Sequence, residues 1–183
     1  MDKGTYQIPR SLPVLAVVIL AAMFYYAAFI ENPTPEDTVA EFYEAFFIQD
    51  FDLAAQNISV FWAAQLLPDY ADHKPAQLLA ERPALEKEAA KFFARVEEQN
   101  PTPPDVSIAI NPAYSRTGEY SALVVYELSQ GSDAVSMEIA ILIKENDRFY
   151  IMNVIPLREE NLKDVQEFDM GDLDADFQEI LKL

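Results

Sequence analysis

Ser11 to Ile30, "SLPVLAVVILAAMFYYAAFI", runs for twenty residues without a charge, and the chain turns polar immediately afterwards at "ENPTPED". A spanning helix needs about 20 mostly apolar residues, and a buried helix of a globular domain rarely runs so long without a polar face. The run is therefore read as a transmembrane helix. A secretory signal has a shorter apolar core, about 7–15 residues, and ends at a small-x-small cleavage site. Here a cut after Ala28 would put bulky Tyr26 where a small residue is needed, so retention is the reading adopted.

From Pro33 onward the apolar positions return at helical spacing. Thr34 can cap, Pro35 suits a first helical position, and Glu36 and Asp37 suit the positive end of the helix dipole. Val39, Phe42, Tyr43, Phe46 and Phe47 then fall on one face. After a break at Gln49-Asp50, "FDLAAQNIS" predicts a brief helix, with Asp52 near its start and Ala54 and Ala55 inside. Ser59 caps a further helix, "VFWAAQLLPDY", closed by Pro68. The segment "ADHKPAQLLAERP" reads as a loop with one turn, a lip over whatever the elements enclose. A third main helix is predicted from Pro83 to Gln99, with Leu85, Ala89, Phe92, Phe93 and Val96 inward and Glu86, Lys87, Lys91 and Arg95 in water. "NPTPP" stops it.

Beyond this point the period changes to two. "DVSIAIN" alternates Val106, Ile108 and Ile110 against Ser107, Ala109 and Asn111, as a half-buried strand should. After a turn near Gly118 come "EYSALVVYELS", a break at Gly131, "AVSMEIAILIKE", a tight "NDR" and "FYIMNVIPLRE". Four strands with short links predict an antiparallel meander whose neighbours pair in order. The third of them is apolar on both sides, with Val135, Met137, Ile139, Ile141 and Ile143 against Ala134, Ala140 and Leu142. A strand of that kind needs cover on both faces, from a homodimer, a membrane-complex partner, or the chain's own carboxy-terminal segment. That segment, 159–183, carries nine acidic residues and two lysines; Leu173, Phe177, Ile180 and Leu181 lie on one helical face, a candidate docking stripe for a partner or a tail that folds back.

Charge now narrows the setting. Lys3 and Arg10 precede the apolar run and no Lys or Arg follows it until Lys74, so the tail 1–10 is expected in the cytoplasm and the remainder outside a bacterial-type cell membrane. Tyr25 and Tyr26 suit the outer interface. Residues 31–183 hold 30 of the 31 acidic and 11 of the 13 basic residues, a formal charge of −19. Nucleic acid and anionic headgroups are held by Lys and Arg, so such partners are excluded. With no cysteine the chain has neither a lipoprotein anchor nor a disulfide, and the fold must stand on its core.

Helices first and a meander after, with "DTVAEFYEAFFIQDFDLAAQNIS" supplying an aromatic first helix, an Asp just past it and a short Ala-Ala helix, give a chain that resembles the nuclear transport factor 2-like superfamily, the cystatin-like cone. The resemblance implies helices packed on a curved antiparallel sheet, a cone-shaped α+β barrel over 31–158; with the transmembrane helix 11–30 before it and the acidic amphipathic segment 159–183 after it, both read from the residues, the expected fold class is α+β with an amino-terminal transmembrane helix. One departure is the lack of strand character in "ADHKPAQLLAERP", where the family often has a strand. Members include enzymes, ligand carriers and scaffolds, and those with one spanning helix and an outside domain resemble assembly scaffolds.

Candidate chemistry is sparse. His73 is the single histidine, with Asp69 and Asp72 nearby on a polar loop; zinc sites want three or four convergent ligands, and this set is too small to assign a metal. No nucleophile, phosphate-loop or zinc-protease motif occurs, and no catalytic residue, metal or cofactor is assigned. Phe46, Trp62 and Tyr126 are the candidate lining of an apolar pocket. The expected function is that of a single-pass, membrane-anchored, non-catalytic subunit or scaffold, held in the lipid bilayer through Ser11–Ile30; the alternative is a carrier or sensor of an apolar small molecule or lipid in the cone.

Overall fold

The computed structural model describes residues 17–23 and 33–182. Residues 17–23 are helical. The rest of the expected span Ser11–Ile30, and the tail 1–10, lie outside the described residues. Among the described residues no helix is long and apolar enough to cross a membrane. Pro33–Leu183 is a compact unit of its own, of class α+β.

The first helix of this unit, α1 (Pro35–Phe47), starts as its sequence demands. Thr34 Oγ1 accepts from the Asp37 backbone N–H at 3.1 Å, and the Asp37 carboxylate accepts the Thr34 N–H in return. Val39 and Phe42 are buried as the spacing predicts. Tyr43 and Phe46 are half-buried, because α1 also turns Thr38 and Ala45 inward. Two short helices follow, α2 (Phe51–Ala55), capped by Asp50, and α3 (Val60–Leu66), capped by Ser59.

The stretch expected as a lip with one turn contains a further helix, α4 (Pro75–Ala80), in which Pro75 takes the first position, Gln77 Oε1 accepts the Lys74 N–H at 3.0 Å and Leu78 is buried. One apolar anchor and a local cap suffice to order it against α3 and α5 (Arg82–Gln99).

The strands are β1 (Val106–Ile110), β2 (Arg116–Thr117), β3 (Ser121–Gln130), β4 (Asp133–Glu145) and β5 (Arg148–Pro156). They pair antiparallel in the order β1-β3-β4-β5, as the short links predict, with the two-residue β2 beside β3. Asn146 and Asp147, both at positive φ, make the two-residue turn between Glu145 and Arg148 that a twisted hairpin requires. The expected barrel closure is corrected: β1 and β5 are the ends of an open sheet. They do not meet, because α1 packs against both of them and against β3, and β5 is capped along part of its free edge by Asn57–Ser59.

Ala122, Val124, Tyr126, Ala140 and Leu142 join the helices in the main core. Leu123, Val125 and Ile139 point the other way and form a second cluster with Val165 and Met170. The cover that β4 demands therefore comes from the chain's own last helices, α6 (Leu162–Glu167) and α7 (Met170–Lys182).

Candidate functional site

Leu157, directly after β5, donates its N–H to Met137 O at 2.8 Å, which starts the chain back across the outer face of the sheet. A 3-10 turn (Glu159–Asn161) leads into α6, and Val165 and Met170, apolar residues of a largely acidic segment, are buried against the sheet. The segment does not fill the face. Between it and the sheet lies an apolar groove of about 530 Å³, with Ile139, Ile141 and Leu157 among its walls and Ile155 and Phe168 at its mouth. Ile155 is 42% and Phe168 43% exposed, unusual for large apolar side chains sharing one recess. Its rim holds Arg158, Glu160, Asn161 and Asp164.

One wall of the groove, Leu173, belongs to α7, and α7 is pinned by Asp174. That carboxylate accepts from the backbone N–H groups of Glu119 (2.8 Å) and Tyr120 (2.9 Å) and from Ser121 Oγ (2.6 Å). Gly118 makes room: a Cβ there would lie 2.4 Å from Asp174 Oδ2. The Arg116 guanidinium donates to Gln166 O and ties α6 to β2. Burial opposes ionisation of Asp174, but the bonds from Ser121, Glu119 and Tyr120 outweigh it and hold the carboxyl below its ordinary range. A carboxyl whose folded pKa is depressed stabilises the fold above its unfolded pKa, about 3.9, and that contribution is lost as pH falls through the folded value. Docking of α7 is thus expected to hold at neutral pH and to loosen in acid. Protection of the α7 amides, taken relative to the intrinsic exchange rate at each pH, should fall below about pH 4, and Asp174→Asn should show the reduced protection already at neutral pH; unchanged α7 protection in that variant would refute the pin.

The stripe expected to dock a partner, Leu173, Phe177, Ile180 and Leu181, packs on its own chain: Phe177 is buried in the main core and the other three lie half-buried against it. Of the three positions proposed to line a pocket, Phe46 and Trp62 share Phe42 as a packing neighbour, and Tyr126 packs on Tyr43. Phe42 stacks at 6.1 Å from both Phe46 and Trp62, and Phe93 lies 5.8 Å from Phe42 and from Phe46. Tyr126 is fully buried.

Its hydroxyl sits 2.5 Å from that of Tyr43 and donates to Glu138 Oε2 at 2.7 Å, a three-residue network joining α1 to β3 and β4. Burial, with Tyr43 and Glu138 adding to it, pushes the Tyr126 phenol far above its ordinary range; burial does the same to Tyr43. Both therefore stay neutral donors. Tyr126→Phe is expected to cost about 1.5–3 kcal/mol, the value of a hydrogen bond to a charged acceptor, in urea unfolding. A cost below about 0.5 kcal/mol, the range of ordinary surface changes, would mean that water serves the carboxylate instead.

His73 and Asp69 border an open polar recess of about 800 Å³ with Glu81, Glu88 and Arg95. His73 Nε2 lies 3.8 Å from Glu81 Oε2, and its ring packs on Tyr70. Asp72 is not brought to the recess wall, and among the described residues no group of three or more His, Asp or Glu is placed to hold a metal. The recess mixes both signs of charge without converging on one point, whereas the groove is lined mostly by apolar side chains.

Sequence reasoning missed Ile155 and Phe168. Ile155 is the next-to-last residue of a strand whose alternation predicts a partly wet face, and Phe168 is the one large apolar residue between the two last helices; both signals are local and weak. Compared with family models, with curated proteins and with solved structures, the chain matches none.

Proposed function

We propose that the chain is a single-pass, membrane-anchored, non-catalytic subunit that works through protein contacts, its domain held outside a bacterial-type membrane with the amino terminus in the cytoplasm. The anchor rests on the charge-free run Ser11–Ile30 and on the Lys and Arg that precede it. The cone-like, nuclear transport factor 2-like architecture with a curved sheet is part of this reading, supported by the element order and the pairing of the strands. The contact surface is the groove at Ile155 and Phe168, and the exposure of those two side chains is the observation that carries the reading. The carrier alternative gains no comparable support, since Phe46 and Trp62 pack on neighbouring rings and the Tyr126 hydroxyl is hydrogen-bonded.

A photocrosslinking phenylalanine at position 168 of the full chain, in native membranes, tests this. A discrete polypeptide adduct is expected from position 168, lost on Ile155→Asp and absent when the probe stands at exposed Glu179 on α7. Equal adducts from both positions, or none, would refute the groove as a contact surface. Carbonate extraction tests the anchor: release of the full chain from the membrane would refute it.

A further inference from the structure

We infer that the groove receives an amphipathic, positively charged helix from a partner protein, an inference that rests on the groove being the contact surface proposed above. Three observations select this occupant. The first is charge. The groove's rim carries Glu160 and Asp164 against Arg158, whose Nη1 is already 3.4 Å from Glu160 Oε1, and the segment that bears the rim also exposes Glu159, Glu167, Asp169 and Asp172 against Lys163. An apolar insert flanked by Lys or Arg meets Glu160 and Asp164 at the rim and further carboxylates along the same segment, and the field of the −19 domain draws it in.

The second observation disfavours another copy of this chain. A two-fold contact sets the same patch against itself, so the acidic segment beside the groove would face its own copy. The third disfavours an added strand. β5 borders the groove, but Val154 donates its N–H to Asn153 Oδ1 at 2.8 Å, Pro156 has no N–H, and the Ile151 N–H and C=O are taken by Asn57 O (2.9 Å) and Ser59 N–H (2.8 Å). A strand edge blunted in this way offers little backbone to pair with. Side chains must carry the contact, and a helix presents them to a groove at i, i+3, i+4 and i+7.

The test uses the full chain in nonionic detergent with the crosslinker at position 168. Its probes are a Leu/Lys peptide of about 18 residues with leucines at helical spacing, the same peptide with Glu for Lys, and the Leu/Lys peptide broken by central prolines. Labelling of the Leu/Lys helix alone is expected, weakened by added salt. Ile155→Asp should cut the labelling about tenfold, although it adds a negative charge, while Ile48→Asp, on a remote exposed site, should leave it unchanged. Comparable labelling of the Glu or proline peptide, or indifference to Ile155→Asp, overturns the inference. If position 168 captures a polypeptide in native membranes but not the Leu/Lys helix, this inference falls and the docking reading stands; if it captures neither, both fall.

Discussion

Glu145→Ala should destabilise the domain by about 3–5 kcal/mol, the cost of removing one partner from a buried ion pair. The Glu145 side chain is wholly out of water. It accepts from Ser59 Oγ at 2.6 Å and pairs with Arg82, whose own side chain is only 15% exposed and whose guanidinium stacks 3.8 Å above the Tyr150 ring. Without the carboxylate, Arg82 keeps Glu86 at 3.3 Å on its outer side and loses its inner partner, while the Ser59 hydroxyl loses its acceptor. Ser59 caps α3 and Glu145 ends β4, so the loss loosens the junction between the helices and the last hairpin. Since whole domains are stable by only about 5–15 kcal/mol, the variant should sit near the edge of folding. Urea unfolding followed by the fluorescence of Trp62, the single tryptophan, reads the effect. Replacing both partners, Glu145→Leu with Arg82→Met, should recover most of it, because an apolar pair leaves no charge stranded. A single-variant cost below about 1 kcal/mol, the range of a surface pair, would show that water reaches the pair.

Phe177→Ala should cost about 3–5 kcal/mol as well, the usual toll of emptying a buried aromatic site. The loss should be felt first in α7. Phe177 is the buried anchor of that helix, with half-buried Ile180 and Leu181 behind it and the Asp174 carboxylate pinning its other end to the turn at Gly118. Removing the ring leaves the pin and buried Met170, at the start of the helix, to hold a helix whose other apolar contacts are partial. Helix α7 amides should exchange fast, and the amides of 121–125 in β3 should lose protection with them. Gly118→Ala, which drives a methyl against Asp174, should give the same pattern from the other end of the helix. An α7 that stays protected in Phe177→Ala would mean that the pin and Met170 dock it without the ring. Because Leu173 walls the groove, either variant should also abolish capture at position 168.

Much of the architecture was readable from local order. Thr34, Pro35 and Asp37 announce the start of α1 because a cap acts on backbone groups two or three residues away. The Asn146-Asp147 turn and the Gly131 break set the strand order, since links so short leave a strand no neighbour but the last one. The barrel closure and the lip at "ADHKPAQLLAERP" were misjudged for one reason: whether an edge is met or a segment is anchored depends on what packs beside it, here α1 between β1 and β5, and the core that buries Leu78.

The site was less legible. Asp174 lies 53 to 55 residues from the groups it binds, and Glu138 stands 95 residues from Tyr43, so no spacing rule joins them. Nor does the sequence distinguish a tail that captures a partner from one that covers its own sheet, because Leu173, Phe177, Ile180 and Leu181 make the same stripe in either case.

By itself the sequence determined the identity and order of α1, α2, α3, α5 and the four long strands, through caps, periods and turns, and the acidity of their surface; these depend on interactions within a turn or two of chain, or on composition alone. The tertiary structure decided that the sheet is open, that α6 and α7 cover its outer face, and that Ile155 and Phe168 are left wet beside them. Those outcomes turn on how much apolar surface the distant segment could bury against β3 and β4, a quantity that exists only once the sheet has formed.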